Sequence, residues 1–269
     1  MITLKNGQHC QYVDCQDRAF LYGDGFFTTV KLQHGKLRLW QRHIERLIEC
    51  AEQLSFDLDI MQLEQQVQQF LGRHIDASGV FKIIVSRGEG SRGYLPPAQG
   101  ADVYIQFFEQ PLFNTQGAQN LPIDSGVLQL TLGLVMPALA GLKTLNRLEQ
   151  VLLRQELAAT PWQEALVSDV QGNLIEGVYS NCFLYIDKNW HTPLLDQAGI
   201  AGVMRAEILA QMQAQDIPCI VANVPKLAID QIEAMFFCNA LTGIVPVKTL
   251  LGRPLDLGPV QQLMARLKL

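Results

Sequence analysis

The stretch LAGLKTLNRLEQVLLRQE, residues 139–156, places a single lysine where its charge is difficult to stabilise. Apolar residues recur at helical spacing from Leu145 onward, and no Gly or Pro follows before Pro161, so the pattern predicts a helix that begins near Leu145. Lys143 would then lie just before the first turn, where the helix dipole disfavours a cation. Such surroundings favour a neutral amine, the form that a Schiff-base lysine needs. The alternative is a loop lysine whose stem covers apolar surface while its ammonium stays in water.

Composition narrows the class of protein. The chain has 269 residues, of which 48% are hydrophobic and 17% charged, enough for one large domain or two moderate ones. The net charge is -5 and neither half is strongly basic, so we expect no nucleic acid partner. Six scattered cysteines without a C-x-x-C pair predict reduced thiols, and the five histidines have no metal-ligand spacing. The sequence also has no signal peptide and no membrane-spanning apolar run, which predicts a cytoplasmic location and no membrane partner.

Strand and helix patterns alternate along the chain. Residues 26–40 indicate a hairpin that turns at His34 and Gly35, helical patterns follow at 41–54 and 61–71, and β-rich runs follow them. Residues 111–126 are rich in Pro, Gly, Asn and Gln, as is typical of a linker. We therefore expect an α/β (α+β) fold with a small N-terminal domain at 1–113, a linker at 114–122 and a larger C-terminal domain at 123–269.

Three further features are ambiguous when each is taken alone. Gly199 and Gly202 precede a helix predicted from Val203, which indicates either a phosphate-binding helix entry or a tight turn. Glu176 in NLIEGVYSN is either an exposed strand residue or the partner of a cationic cofactor nitrogen. Arg46 in RHIERL faces either water or an anion.

Taken together in chain order, six segments resemble the fold type IV pyridoxal-phosphate enzymes. This superfamily includes branched-chain and D-amino acid aminotransferases and the aminodeoxychorismate lyases. The resemblance covers nearly the whole chain and implies a two-domain fold whose larger domain has a barrel-like sheet. The segments are YGDGFFTTV (22–30), RHIERL (42–47), LKTLNRLEQ (142–150), NLIEGVYSNCF (173–183), GIAGVMR (199–205) and NALTGIVPV (239–247).

The resemblance assigns a role to each ambiguous residue. Lys143 corresponds to the lysine that forms a Schiff base with pyridoxal 5'-phosphate and later shuttles a proton. Glu176 corresponds to the carboxylate that keeps the pyridine nitrogen protonated. Arg46 corresponds to the arginine on the cofactor phosphate, and the backbone of Ile200 and Ala201 to the phosphate-binding helix entry.

Two departures from the superfamily pattern affect this transfer. Aminotransferases often place threonines on the phosphate where this chain has Ala201 and Ala240, so backbone groups or Asn239 would have to substitute. The branched-chain enzymes also carry a tyrosine five residues after the lysine, where this chain has Leu148. The partner of the cofactor's phenolic oxygen is therefore left open.

Within the superfamily, SRGEGSRGY (86–94) and the lysine segment resemble the lyase branch specifically. That resemblance implies a homodimeric enzyme of folate biosynthesis that converts 4-amino-4-deoxychorismate to 4-aminobenzoate and pyruvate. One rival is a D-amino acid or branched-chain aminotransferase on the same scaffold. The other is a cofactor-binding protein without catalysis, for which the electron sink implied by Glu176 would have little use.

The lyase resemblance also suggests how the substrate is held. Thr28 or Thr29 could help to protonate the departing enolpyruvate, and the sequence does not decide between them. Arg92 would hold a substrate carboxylate, with Arg87 as second choice and Tyr94 beside it. In the D-amino acid relatives an arginine of this loop reaches across the dimer, so we expect Arg92 to act on the partner's site.

Overall fold

The computed structural model describes residues 1–109 and 121–269, and the chain divides into two compact units. The first unit comprises Met1–Phe113 and Leu142–Asn146; the second comprises Asn114–Gly141 and Arg147–Leu269. The prediction of a two-domain α/β (α+β) fold is confirmed. The predicted linker at 114–122 lies almost entirely outside the described residues. Residues Leu142–Asn146, which include Lys143 and fall within the range predicted for the larger domain, belong to the first unit.

The first unit is built on one antiparallel sheet, whose strand order among the described residues is β2-β1-β6-β5-β3-β4. The hairpin predicted at His34 and Gly35 is present, because both residues adopt the positive φ angles that the turn requires. The elements are β1 Ile2–Lys5, β2 Gln8–His9, α1 Arg18–Tyr22, β3 Gly25–Gln33, β4 Lys36–Leu37, α2 Trp40–Gln53, α3 Ile60–Arg73, β5 Gly79–Ser86 and β6 Asp102–Glu109.

Helices α2 and α3 contribute to the core on one face of this sheet. Side chains of a strand alternate between faces, so Phe26, Thr28 and Val30 of β3 point to one side and Phe27 and Thr29 to the other. The core on the first side contains Phe26 and Val30 together with residues of β5, β6, α2 and α3. The second face therefore carries Phe27 and Thr29, together with their cross-strand partners on β5.

The lysine segment pairs with β3 instead of leading directly into a helix. The Phe27 N–H donates to the Lys143 carbonyl at 3.0 Å, and the Leu145 N–H donates to the Gly25 carbonyl at 2.9 Å. The prediction of a helix from Leu145 is wrong by three residues, because α4 begins only at Leu148. These backbone hydrogen bonds hold residues 143–145 in an extended conformation. The helix dipole therefore does not act directly on Lys143.

The second unit is built on a larger sheet with the strand order β12-β11-β10-β14-β15-β7-β8-β9-β13, in which β16 pairs with β15. The helix predicted from Val203 is α5. The elements are β7 Ile123–Leu132, α4 Leu148–Ala158, β8 Glu164–Asp169, β9 Asn173–Gly177, β10 Asn181–Ile186, β11 Asn189–Pro193, α5 Val203–Ala214, β12 Cys219–Ala222, β13 Val224–Pro225, β14 Ile232–Asn239, β15 Gly243–Leu250, β16 Arg253–Pro254 and α6 Gly258–Arg266, with 3-10 turns at Pro137–Leu139 and Lys226–Gln231.

None of the helices in the described residues has both the length and the apolar character needed to span a bilayer.

Gly25 is the point where the lysine segment approaches β3 most closely, and we expect Gly25→Ala to destabilise the protein. A Cβ at this position would lie 2.3 Å from the Val85 carbonyl oxygen and 2.7 Å from Cδ1 of Leu145. Overpacking of this kind costs about 1–3 kcal/mol. The free energy of unfolding, measured by urea denaturation, should fall by that amount.

Gly72→Ala is the matched control for this measurement. Gly72 lies on α3, is exposed, and a Cβ there would meet no atom within 4 Å. We expect it to raise the free energy of unfolding by up to about 1 kcal/mol. Equal stability of the two variants would contradict the close approach at Gly25.

Candidate active site

Lys143 and Thr29 share the face of the first sheet that lies opposite the helices. The bridge between Phe26 and Thr144 sets the register and places Lys143 opposite Phe27. The Lys143 Nζ accordingly lies over the Phe27 ring, 4.6 Å from its centroid. Thr29 follows Phe27 by two residues on the same strand and therefore points to the same side as this amine.

Thr28 points into the core. It is fully buried, and its Oγ1 lies 2.6 Å from Nδ1 of His43 on α2. Burial, with a smaller contribution from the charge of Arg46, lowers the pKa of His43 to about 3, so the imidazole is neutral. The hydroxyl of Thr28 is thus engaged in a buried hydrogen bond between β3 and α2, on the face opposite the Lys143 amine.

Helix α2 carries Arg46 and also contacts the lysine segment. Burial lowers the pKa of Arg46 to about 10, so the guanidinium keeps its charge in a poorly hydrated environment. One turn later, burial raises the pKa of the Cys50 thiol, although a hydrogen bond with the Lys143 backbone opposes that effect. The same helix therefore holds the charge of Arg46 and supports the main chain at Lys143.

Arg18 fixes the glycine-rich loop that carries Arg92 and Tyr94. Its guanidinium is almost fully buried and donates to Asp24 at 2.8 Å, to the Gly93 carbonyl at 2.8 Å and to the Tyr94 carbonyl at 3.0 Å. The Tyr94 ring packs edge-on against Tyr22 but is otherwise exposed. Arg92 is exposed and makes no polar contact with the described residues. A fixed main chain thus presents Arg92 to solvent.

Arg87 does not suit its predicted role as second choice for a substrate carboxylate. Its guanidinium donates to the carbonyls of Ser55 at 2.6 Å and Leu54 at 2.9 Å and pairs with Asp24 at 3.3 Å. It also lies over the Phe56 ring, 3.5 Å from the centroid. These contacts use the donors of Arg87 to tie the loop to the end of α2. Arg87 as second choice for a substrate carboxylate stays a prediction, for a side chain that already has these partners.

In the second unit, Glu176 is held at the end of β9. Its Oε2 accepts the Ile200 N–H at 2.8 Å. Arg147, just before α4, is close enough for its charge to interact with Glu176, although burial lowers the pKa of Arg147. The carboxylate is buried and its orientation is determined by the backbone of the loop that precedes α5.

The backbone N–H groups of Ile200 and Ala201, which the resemblance assigns to the phosphate, both have hydrogen-bond partners within the protein. The N–H of Ile200 donates to Glu176 and that of Ala201 to the Gly141 carbonyl at 2.9 Å. The N–H groups of Val203 and Met204 have no hydrogen-bond partner among the described residues, and no side chain caps this end of α5. The donors that remain for an anion are therefore at the first turn of α5.

Gly202 brings the helix entry against Asn181. Asn181 accepts the Gly202 N–H at 3.0 Å and donates to the Ile200 carbonyl at 2.8 Å. A Cβ on Gly202 would lie 2.0 Å from the Asn181 oxygen. The glycine is thus required for the contact that anchors the entry to β10.

The side chain of Asn239 is also committed within the protein. Its oxygen accepts the N–H groups of Leu241 and Thr242, at 2.9 and 2.8 Å, and its nitrogen donates to the Ser180 hydroxyl at 3.1 Å. Asn239 therefore shapes the turn that contains Ala240, and its predicted contact with the phosphate stays a prediction. Near Ser180, burial raises the pKa of Glu164 to about 7, although backbone N–H groups oppose the shift.

The chemical groups present fit a phosphorylated pyridine aldehyde. The first unit offers the Lys143 amine and the poorly hydrated guanidinium of Arg46. The second offers the Glu176 carboxylate and the uncapped start of α5. The aldehyde of such a compound needs an amine, and its phosphate needs cationic or N–H donors. Its ring nitrogen needs a carboxylate.

Sequence analysis missed four residues that support these groups. His43 bonds Thr28, Arg147 lies near Glu176, Asn181 anchors the helix entry, and Lys82 shares the Phe27 ring with Lys143. His43, Arg147 and Asn181 stand inside the quoted motifs and could have been considered from the sequence. Lys82 became visible only through strand pairing and its position beside the Phe27 ring.

The sequence matches the family described as amino-transferase class IV over residues 25–250. It is 35% identical over 245 residues to a Vibrio harveyi protein named aminodeoxychorismate lyase, covering 90% of this chain and 89% of the relative. A crystal structure of 4-amino-4-deoxychorismate lyase from Pseudomonas aeruginosa superimposes with a TM-score of 0.90 at 34% identity, covering 98% and 97% of the two chains.

A more distant structure supports the fold alone. The PLP-bound form of a hypothetical aminotransferase from Mycobacterium tuberculosis has a TM-score of 0.82 at 19% identity and covers 100% of this chain and 99% of its own. The relatives at 34 and 35% identity are named as enzymes, which confirms the prediction of an enzyme. The family match spans most of the sequence, and so the chain belongs to the amino-transferase class IV family.

Proposed function

We propose that this protein is a pyridoxal-phosphate-dependent lyase that converts 4-amino-4-deoxychorismate to 4-aminobenzoate and pyruvate. The observation that carries the proposal is the 35% identity, over nearly the whole chain, to a relative named for this activity. The placement of Lys143 and Thr29 on one sheet face supports it, because elimination is assisted by a base and an acid that both reach the substrate. A D-amino acid or branched-chain aminotransferase remains the rival on this scaffold.

Four kinds of group would hold pyridoxal phosphate. Lys143 would bind its aldehyde carbon, Glu176 its ring nitrogen, and Arg46 together with the N–H groups of Val203 and Met204 its phosphate. When bound, the cofactor supplies an electron sink for the carbon next to the substrate nitrogen. Arg147 would contribute a positive charge near Glu176.

Lys143 would act as the base once the substrate amine has displaced it. Its Nζ would then remove the proton from the ring carbon that bears the nitrogen, and pyruvate would leave from the neighbouring carbon. The extended main chain at Lys143, bonded to β3, keeps the amine close to its working position throughout. Aromatisation of the product ring makes the elimination irreversible.

The experiment that tests this function is a paired assay of the purified protein loaded with pyridoxal phosphate. We expect it to release pyruvate and 4-aminobenzoate from 4-amino-4-deoxychorismate, with no transfer of the amino group to an added keto acid. Borohydride treatment should attach the cofactor permanently to Lys143, as peptide mapping would show. Lys143→Ala should abolish both pyruvate release and labelling.

Either of two results would reject the proposal. Amino transfer to a keto acid without pyruvate release would establish the aminotransferase, and binding of the cofactor without either reaction would establish a non-catalytic role. Lys36→Ala is the matched control, because Lys36 is an exposed lysine of the same unit. It should retain full activity.

Thr29 would donate the proton to the departing enolpyruvate, and Thr28 would not. We expect Thr29→Val to lower kcat at least about 10-fold with the cofactor absorbance retained, because a general acid contributes about 10²–10⁴-fold. Thr28→Val should keep kcat within a few-fold of wild type. It should instead lower the melting temperature, since it removes the hydroxyl that bonds His43. Loss of kcat in Thr28→Val alone would reverse this assignment.

We further propose that the protein is a homodimer in which each site receives Arg92 from the other subunit. The exposed position of Arg92 on an anchored loop supports the proposal. Lys143→Ala and Arg92→Ala should each be nearly inactive. In mixed dimers of the two variants, one site would carry both lesions and the other neither, so about a quarter of all sites should recover after joint refolding. Verified mixed dimers without recovery would place Arg92 in its own subunit's site.

A further inference from the structure

Glu164 is a buried carboxylate of the second unit that the proposed chemistry does not use. It is the first residue of β8 and is 2% exposed. Its oxygens accept the N–H groups of Val178 at 2.8 Å, Ala165 at 3.0 Å and Tyr179 at 3.4 Å. The Ser180 hydroxyl donates to the same carboxylate. Four donors from two segments of the chain therefore converge on one side chain.

Three of these donors belong to the turn that directly follows Glu176. The Gly177 N–H closes this turn by donating to the Ser180 carbonyl at 2.6 Å. A Cβ on Gly177 would lie 2.9 Å from Cδ of Glu164 and 3.0 Å from the Phe237 ring, so the glycine allows the carboxylate to reach the turn. Because Glu176 immediately precedes the turn, the end of β9 and the direction of the Glu176 side chain depend on how the turn is held.

Ser180 connects Glu164 to a second turn, which follows β14. Its hydroxyl donates to Glu164 and accepts an N–H of the Asn239 side chain at 3.1 Å. The oxygen of that side chain accepts the N–H groups of Leu241 and Thr242. One buried carboxylate is thus connected by hydrogen bonds to the turn after β9 and to the turn after β14.

We propose that Glu164 is a positioning residue for the cofactor, because its carboxylate holds the turn behind Glu176 and, through Ser180, the turn that contains Ala240. The inference rests on the proposed function, in which Glu176 binds the ring nitrogen of pyridoxal phosphate. An ionised carboxylate accepts hydrogen bonds at both oxygens, whereas a protonated one has less acceptor capacity and carries a donor. The two turns are therefore held best when Glu164 is ionised.

The charge of Glu164 changes near neutral pH. Burial raises its pKa to about 7, and the four donors oppose this shift. Its charge also acts on Tyr179 of the turn and on Cys182 of β10, but burial raises the pKa of both groups, so both stay neutral at this pH. The charged neighbours are Glu176, which also acts on Cys182, and Arg154 of α4, whose guanidinium lies 6.0 Å from the Tyr179 ring centroid.

The test measures the affinity of the full-length protein for pyridoxal phosphate by equilibrium dialysis at two pH values. At about pH 8.5 we expect Glu164→Gln to bind at least about 10-fold more weakly than wild type, because hydrogen bonds to a charged group are lost. At about pH 5.5 both proteins carry a neutral side chain, and their affinities should agree within about twofold. Comparing the two proteins at each pH removes the titration of the cofactor itself.

Two further variants control for charge and for position. Glu164→Asp keeps the charge, and its affinity should still fall on acidification, although the shorter side chain weakens binding at both pH values. Glu233→Gln neutralises an exposed glutamate of β14 in the same unit and should bind as wild type does.

The stability of the cofactor-free protein should depend on pH in the opposite sense. Because folding raises the pKa of Glu164, the free energy of unfolding of wild type, relative to Glu164→Gln, should fall as the pH rises from about 4 to about 7. Affinity for the cofactor, compared in the same way, should rise. A general loosening of the fold would lower both together, and that result would contradict the positioning role.

Two binding results would also overturn the proposal. Equal affinity of Glu164→Gln and wild type at the alkaline pH would exclude the role, and an equal deficit at both pH values would show that the side chain only packs. Failure of the proposed function is distinguishable, because wild-type protein that bound no pyridoxal phosphate would reject that function together with this inference. Cofactor binding by wild type that does not depend on Glu164 would reject the inference alone.

Discussion

Two backbone hydrogen bonds between β3 and residues 143–145 determine to which face of the first sheet the Lys143 side chain points. They join Phe27 to Lys143 and Leu145 to Gly25, and the absence of a Cβ at Gly25 allows the approach. Because side chains alternate along paired strands, this register directs Lys143 toward the Phe27 face, whereas Leu142 joins the core. A slip of one residue would exchange them and bury the amine among apolar side chains. The placement of the Lys143 amine therefore depends on this pairing.

The first unit keeps several cations in poorly hydrated positions, and their partners distinguish their roles. Arg18 and Arg87 both bond Asp24 and the carbonyls around it, so their charges are used to fix the loop and the end of α2. Lys82 lies over the Phe27 ring and has no carboxylate partner within the part of the chain that the structure describes. Arg87 and Arg92 lie five residues apart in the same motif. Arg87 is hydrogen-bonded within the protein, whereas Arg92 is exposed. Residue type alone would have treated them alike.

The backbone N–H groups at the entry to α5 differ in whether they already have hydrogen-bond partners. In the loop before α5, the Ile200 N–H donates to Glu176 and the Ala201 N–H donates to the Gly141 carbonyl. The Gly202 N–H donates to Asn181. A donor that already has a partner cannot serve a phosphate without losing that bond. The next N–H groups, at the first turn of α5, are therefore the ones left for a ligand. The loop gains rigidity from its own bonds and orients the Glu176 carboxylate through one of them.

The sequence by itself determined the α/β (α+β) class, the position of most helices and strands, and the family, because hydrophobic periodicity, glycine turns and ordered motifs are local properties of the chain. It also singled out Lys143, Glu176, Arg46 and Arg92, although their roles rested on resemblance. It misplaced the start of α4 because helical spacing at Leu145 says nothing about a competing β partner more than a hundred residues earlier. Tertiary structure alone showed that Thr28 and Thr29 point to opposite faces, that Arg87 has partners at the end of α2, and that Lys82 lies beside the Phe27 ring. Each of those distinctions depends on strand register and burial, which are set by contacts between segments far apart in sequence.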